Sequence, residues 1–186
     1  MKNNKSNRSN FVIKGFSSIQ IGLYILLSSY LIKSSLDGYV LDGYVDNELS
    51  DSQIELFIQI LVILTVLFSG ITMYFFGFRQ AKTSNQELWN TKSKQTALKF
   101  IVLFSVLLTL LFFLKSEGKI EFIAPVFLFG FAVHHLLQSK LVTENLLIPG
   151  LCVLLGIVCI VIPSYWHPSL LMLGIAFITL GISAKP

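Results

Sequence analysis

Six long apolar stretches, separated by short polar segments, run along the chain: Phe16 to Ile32, Ile54 to Phe78, Ala97 to Leu114, Phe122 to Leu137, Leu146 to Ile162 and Pro168 to Ala184. A helix that crosses a bilayer needs about 20 predominantly apolar residues. Several of these stretches are short for that, and each can be lengthened by interfacial residues or by lysines that snorkel. The pattern predicts an all-α, polytopic integral membrane protein with six transmembrane helices. A buried helix of a soluble protein accounts for any one short stretch. It does not account for six in one chain with few charges between them.

Composition sharpens the picture. The chain has 186 residues, 54% of them apolar and only 13% charged, whereas soluble domains carry about 25% charged residues. Mean hydropathy is +0.73. Six spans and their loops use up this length, so residues 11–186 are expected to form a single membrane domain and no soluble one. Met1 to Asn10, rich in Asn, Lys and Ser, reads as a disordered cytosolic tail.

Local signals agree with these boundaries. Ser52-Gln53-Ile54-Glu55 has the spacing of a capping box at the start of the second helix. Pro149 and Pro168 fall near the starts of the fifth and sixth helices, where a missing N–H costs little. Pro125 falls in the first turn of the fourth, and Pro163 marks the end of the fifth. None interrupts a span as in a broken transporter helix.

Charge then sets orientation, because lysine and arginine are retained on the cytosolic side. With both termini in the cytosol, that side holds Lys2, Lys5, Arg8, Lys14, Arg79, Lys82, Lys92, Lys94, Lys99, Lys140 and Lys185. The outer side keeps Lys33, Lys115 and Lys119, together with most of the acidic residues. This arrangement explains the pI of about 9.1 without nucleic acid: the positive charge lies beside the spans, facing anionic lipid. The first span is expected to act as a signal anchor, since no small-x-small cleavage site follows it. The lipid bilayer is thus the expected partner.

Glycines suggest an internal organisation. The even-numbered helices align Gly70-Ile-Thr-Met-Tyr-Phe-Phe-Gly77, Gly130-Phe-Ala-Val-His-His-Leu-Leu137 and Gly174-Ile-Ala-Phe-Ile-Thr-Leu-Gly181. Glycines seven apart lie on one helical face and let a neighbouring backbone come close, so Gly70, Gly77, Gly130, Gly174 and Gly181 are expected to pack helices together. Gly15 with Gly22, and Gly150 with Gly156, are loosely comparable. The expected arrangement is three consecutive helical hairpins. The competing account is that any two apolar helices containing glycine can be aligned.

The last hairpin, Pro149-Gly-Leu-Cys-Val-Leu-Leu-Gly156-Ile-Val-Cys-Ile-Val-Ile-Pro163 followed by Leu170-Leu-Met-Leu-Gly174-Ile-Ala-Phe-Ile-Thr-Leu-Gly181-Ile, resembles the bacterial acid-resistance membrane proteins of the HdeD family. The resemblance covers about the last 40 residues; the first two hairpins depart from it, with a long acidic first loop and a long basic second connection. It implies a stress-related role in the inner membrane, three hairpins to a chain, and no catalytic residues.

Candidate chemistry is sparse. His134 and His135 could carry protons or bind a metal, but adjacent helical residues point about 100° apart and do not readily share one ion. Helix packing is the plainer account of both. Cys152 and Cys159 lie seven apart on one face, too far for a disulfide with each other. Ser28 and Ser105 have no base that the sequence can point to. The first external loop holds a tandem Leu36-Asp-Gly-Tyr-Val40 and Leu41-Asp-Gly-Tyr-Val45, then Asp46, Glu48 and Asp51. Its Asp-Gly pairs favour turns. Asp37, Asp42, Asp46, Glu48 and Asp51 could attract a divalent cation, but their spacing is not that of an EF-hand and a solvated acidic loop from a local duplication is the simpler account of them.

No cofactor or metal is expected, and no enzymatic activity. A non-enzymatic stress or envelope protein is the leading expectation. The alternative is a small channel or transporter, assembled as a homo-oligomer because six short helices enclose little space. A membrane enzyme ranks last, with no nucleophile–base set or paired carboxylates visible.

Overall fold

A computed structural model describes residues 9–11, 13–41, 51–138 and 146–183. It contains six α-helices: α1 (Phe16–Leu41), α2 (Asp51–Thr83), α3 (Thr91–Ser116), α4 (Ile123–Gln138), α5 (Leu147–Val161) and α6 (Trp166–Ser183). Single turns of 3-10 helix, Ile120–Phe122 and Pro163–Tyr165, lead into α4 and α6. There is no strand among the described residues. Five helices are long and apolar enough to cross a membrane. The exception is α5, whose 15 residues extend only about 22 Å at 1.5 Å per residue.

Several helices outrun their apolar stretches, α1 most of all. It was expected to end at Ile32, with Asp37 in a loop, but it continues through Lys33, Ser34 and Ser35 to Leu41. Lys33 to Asp37 contain no breaker, their polar side chains stay largely exposed, and Leu36 packs against the core. The first Leu-Asp-Gly-Tyr-Val copy is therefore helical, its Asp-Gly turn preference overridden by helix propagation. Asp42, Asp46 and Glu48 lie outside the described residues. Helix α2 begins at Asp51, so Ser52 is already helical.

Two other ends have well-defined caps. Asn90 caps α3 by accepting a 2.8 Å hydrogen bond from the Ser93 amide. At its far end Gly118, with φ +65°, closes a Schellman arrangement: its amide bonds to the Lys115 carbonyl and that of Lys119 to the Leu114 carbonyl.

The amino-terminal segment also belongs to the folded part at its last residue. Asn10 is only 3% exposed. Its Nδ2 donates to the carbonyls of Glu87 and Leu88, and its amide donates to Ser93 Oγ. Phe11 follows it into a cluster with Tyr74 and Trp89. The expected tail thus stops short of Asn10, because the side chain satisfies carbonyls of the α2–α3 connection.

Successive helices run antiparallel, as the cross-helix contacts show. Tyr24 and Ser28 of α1 meet Thr72 and Thr65 of α2. Gln59 of α2 donates to the Leu111 carbonyl of α3. Lys99 of α3 donates to the Leu137 carbonyl in the last turn of α4, where a cation also complements the helix dipole. The most extensive packing, however, joins α1 to α6 and then α4 to α5. These pairs bridge the expected hairpins, so the helices form one closed bundle and not a row of three separate units.

The α1–α6 seam shows why. Gly22 lies against Gly174 and Gly181 against the Gly15 carbonyl. Gly15, just before α1, and Gly22 within it are seven apart, as are Gly174 and Gly181 of α6, and antiparallel pairing brings the two sets into register. Between them, the Ser18 hydroxyl donates to the Phe177 carbonyl at 2.7 Å. The other three glycines take side chains: Gly70 faces Phe100, Gly77 faces Phe11 and Gly130 faces Leu107. The three aligned glycine segments thus occupy non-equivalent places in the bundle.

The outer surface is apolar. Leu23, Leu27, Phe57, Leu64, Phe75, Ile101, Val102, Phe112, Phe113 and Leu154 are among many large apolar side chains left exposed, and most of α3 is uncovered. Apolar patches on soluble monomers are far smaller.

Candidate functional site

A partly open chamber of about 290 Å³ lies at the end of the bundle that holds the end of α1 and the starts of α2, α4 and α6. Ile25, Ile32 and Leu36 of α1, Ile58 and Val62 of α2, Ile123 and Phe127 of α4, and Leu170 of α6 make its apolar walls. Exposed Glu121 and Pro163, from the two 3-10 turns, stand at its mouth together with Trp166. Closer to the other end, the glycine seam holds α6 tightly against α1.

Ser28, Ser29 and Thr65 supply the chamber's polar spot. Thr65 Oγ1 donates to the Leu61 carbonyl at 2.8 Å and also pairs with Ser28 Oγ. Ser29 is fully buried, and its hydroxyl has no hydrogen-bond partner. A buried hydroxyl left unsatisfied costs about 1–3 kcal/mol, so a partner for it would be stabilising.

Ser28, a candidate nucleophile by residue type, pairs with the Thr65 hydroxyl. Ser105 is exposed on α3 and bonds back to the Ile101 carbonyl. The signal that could have found the chamber was the presence of hydroxyl residues at the middle of two otherwise apolar stretches.

His134 and His135 lie at the opposite end of α4, away from the chamber. Their rings are 5.9 Å apart at 78°. The His134 ring meets Phe100 of α3 edge-on at 5.2 Å, and the His135 ring packs on Phe177 of α6 at 5.3 Å. The two therefore face different neighbours, and the structure does not bring them to one point. His135 Nε2 is buried without a hydrogen-bond partner. His167 sits at the start of α6, within electrostatic reach of Lys33 and Asp37. No group of three or more metal-ligating side chains forms among the described residues.

Cys152 and Cys159 are free and buried in α5. Of the acidic set, Asp37 is exposed on α1 and Asp51 is the first residue of α2. No family model, curated protein or solved structure matches the chain.

Proposed function

We propose that this chain is a non-enzymatic multi-pass protein of the bacterial inner membrane, with an envelope or stress role, that works by holding an apolar molecule in the α1–α2–α4–α6 chamber. The observation that carries this reading is the chamber itself: apolar walls and a volume of about 290 Å³. Its volume sits at the lower end of the ~300–1,000 Å³ typical of small-molecule sites.

Membrane placement rests on five span-length apolar helices and on the exposed apolar surface of the bundle. The short α5 is accommodated by local thinning of the bilayer or by its packing against α4. Both termini lie in the cytosol in this reading, following the basic residues, and the chamber's mouth opens on the outer side. The likeness of the last hairpin to HdeD-type proteins supports the envelope role.

The test is extraction of small molecules from the purified protein, followed by native mass spectrometry. A single apolar species is expected to accompany the wild type and to be absent from Ala124→Phe, which fills the chamber. Circular dichroism checks that the variant keeps its helices. If the wild type carries no apolar species and takes none up from added lipid extract, the reading fails.

A further inference from the structure

Resting on the reading of the chamber as a binding site, we infer that its guest is one unbranched acyl chain of a bilayer phospholipid. The methyl end points inward and the polar head stays outside at the mouth.

Depth places the head. Glu121 and Pro163 fall within the first two residues of the apolar spans that start at this end of the bundle, Ile120–Leu137 and Pro163–Ser183. Half-buried Trp166 and exposed Tyr165 stand beside Pro163, and such aromatic residues favour the headgroup level of a bilayer. The mouth therefore lies at the membrane boundary, and the chamber runs from it along the spans. On α1 the lining residues Ser28, Ile32 and Leu36 form one stripe at every fourth position, about 12 Å long at 1.5 Å per residue. That is most of the roughly 15 Å that one leaflet contributes to the hydrocarbon core.

Volume and lining fit the same occupant. About 290 Å³ is roughly twice the ~150 Å³ apolar cavity that takes up one benzene, which leaves room for on the order of a dozen carbons. Twelve carbons in a zigzag reach roughly 14 Å with bonds of about 1.5 Å, close to the length of the stripe. The same carbons in fused rings would be shorter and wider. The walls are mostly branched aliphatic side chains, with Phe127 the one aromatic ring away from the mouth. The interior offers a guest no hydrogen bond in need of a partner: Ser28 and Thr65 pair with each other, Thr65 also donates to the Leu61 carbonyl, and the Ser29 oxygen has essentially no accessible surface. A polar head carried inward would lose its hydration without compensation. A free fatty acid would set its carboxylate at Glu121, with no lysine, arginine or histidine among the lining residues to offset the like charge. The ester next to a phospholipid's chain carries no charge.

The test locates the chain by photolabelling. The full chain in nanodiscs receives, as a minor component, a phosphatidylcholine with a diazirine at the methyl end of one chain, the same lipid with the diazirine next to the ester, or a diazirine-bearing steroid. Mass spectrometry of peptides then finds the labelled residues. The methyl-end probe is expected to label Val62 and Phe127, which are only 8% and 7% exposed and out of reach of lipid around the bundle. The ester-end probe is expected to label Leu36, Glu121 and Trp166. Ala124→Phe is expected to lose the labelling of Val62 and Phe127 while exposed Ile101 and Phe112 of α3 are labelled as in the wild type. The depth profile of the wild type needs no variant and decides the orientation by itself. Labelling of Val62 and Phe127 by the ester-end probe in place of the methyl-end probe, or unchanged labelling in Ala124→Phe, overturns the assignment. Labelling of these two residues by the steroid and by neither phospholipid overturns the acyl chain while the chamber stays a binding site. Absence of labelling there with all three probes overturns the binding site as well.

Discussion

Gly22 of α1 and Gly174 of α6 are packed backbone to backbone: a Cβ on Gly22 would lie 2.6 Å from the Gly174 carbonyl oxygen, and one on Gly174 would lie 3.0 Å from that of Gly22. Neither oxygen can swing aside as a side-chain end could, so the helices themselves must separate. Gly22→Ala is expected to lower stability by about 1–3 kcal/mol, the usual cost of overpacking. Gly150→Ala is the control, because nothing lies within 4 Å of its Cβ position. There the alanine should be neutral or stabilise by about 0.5–1 kcal/mol through helix propensity. Thermal unfolding in one detergent, followed by circular dichroism, compares the two.

Asn10 fixes the amino-terminal segment to the α2–α3 connection with three hydrogen bonds of 3.0, 3.0 and 3.1 Å. Asn10→Ala removes the two made by the side chain and keeps the one from the amide. A loss of about 1–2 kcal/mol is expected, and the loosening should be local because the bundle does not depend on this segment. Hydrogen exchange should speed up at Phe11 and Ile13 and stay unchanged in α4 and α5. Uniform change across all helices would refute a local latch.

How far these features were legible in the sequence depends on the kind of signal. Helix number and type were visible, because an apolar run that long has few alternatives. The end of α1 was not. Apolarity stops at Ile32, whereas helix propagation needs only the absence of a breaker, and Lys33 to Leu36 contain none. The glycines were visible as packing sites, but their partners were not. Spacing says which residues share a face, and only the assembled bundle shows that the Gly15–Gly22 pair meets the Gly174–Gly181 pair. The chamber was the least legible feature. Its walls come from four helices distant in sequence, and its one local clue, Ser28-Ser29 with Thr65, looks like ordinary hydroxyls in apolar helices.

His135 gives a prediction that separates packing from chemistry. Its Nε2 is buried without a partner, and its ring packs on Phe177. A ring of similar size with no polar atom removes the unsatisfied group and keeps the contact. His135→Phe is therefore expected to be neutral or to stabilise by about 1 kcal/mol. Chemical unfolding in a mixed detergent system measures it. A loss above about 2 kcal/mol would mean that the imidazole contributes more than its shape.

The two ends of the bundle differ in charge, and this gives the topology a direct test. Lys14, Arg79, Lys82, Lys92, Lys94 and Lys99 cluster at the end holding the start of α1, with Glu87 among them. At the other end Lys33, Lys115 and Lys119 are outnumbered by Asp37, Asp51, Glu55, Glu117 and Glu121. Retention of cationic residues in the cytosol should therefore place Ser84 inside and Glu117 outside. Both are exposed at connections between helices, so cysteine substitutions there should be reactive without disturbing packing. The native cysteines, buried in α5, should stay silent. Glu117→Cys is expected to react with a membrane-impermeant maleimide in right-side-out vesicles, and Ser84→Cys only after permeabilisation. The reverse labelling pattern would turn the bundle over and open the chamber's mouth to the cytosol. A guest would then enter from the inner leaflet, and the acidic end would have to stay inside against the charge bias.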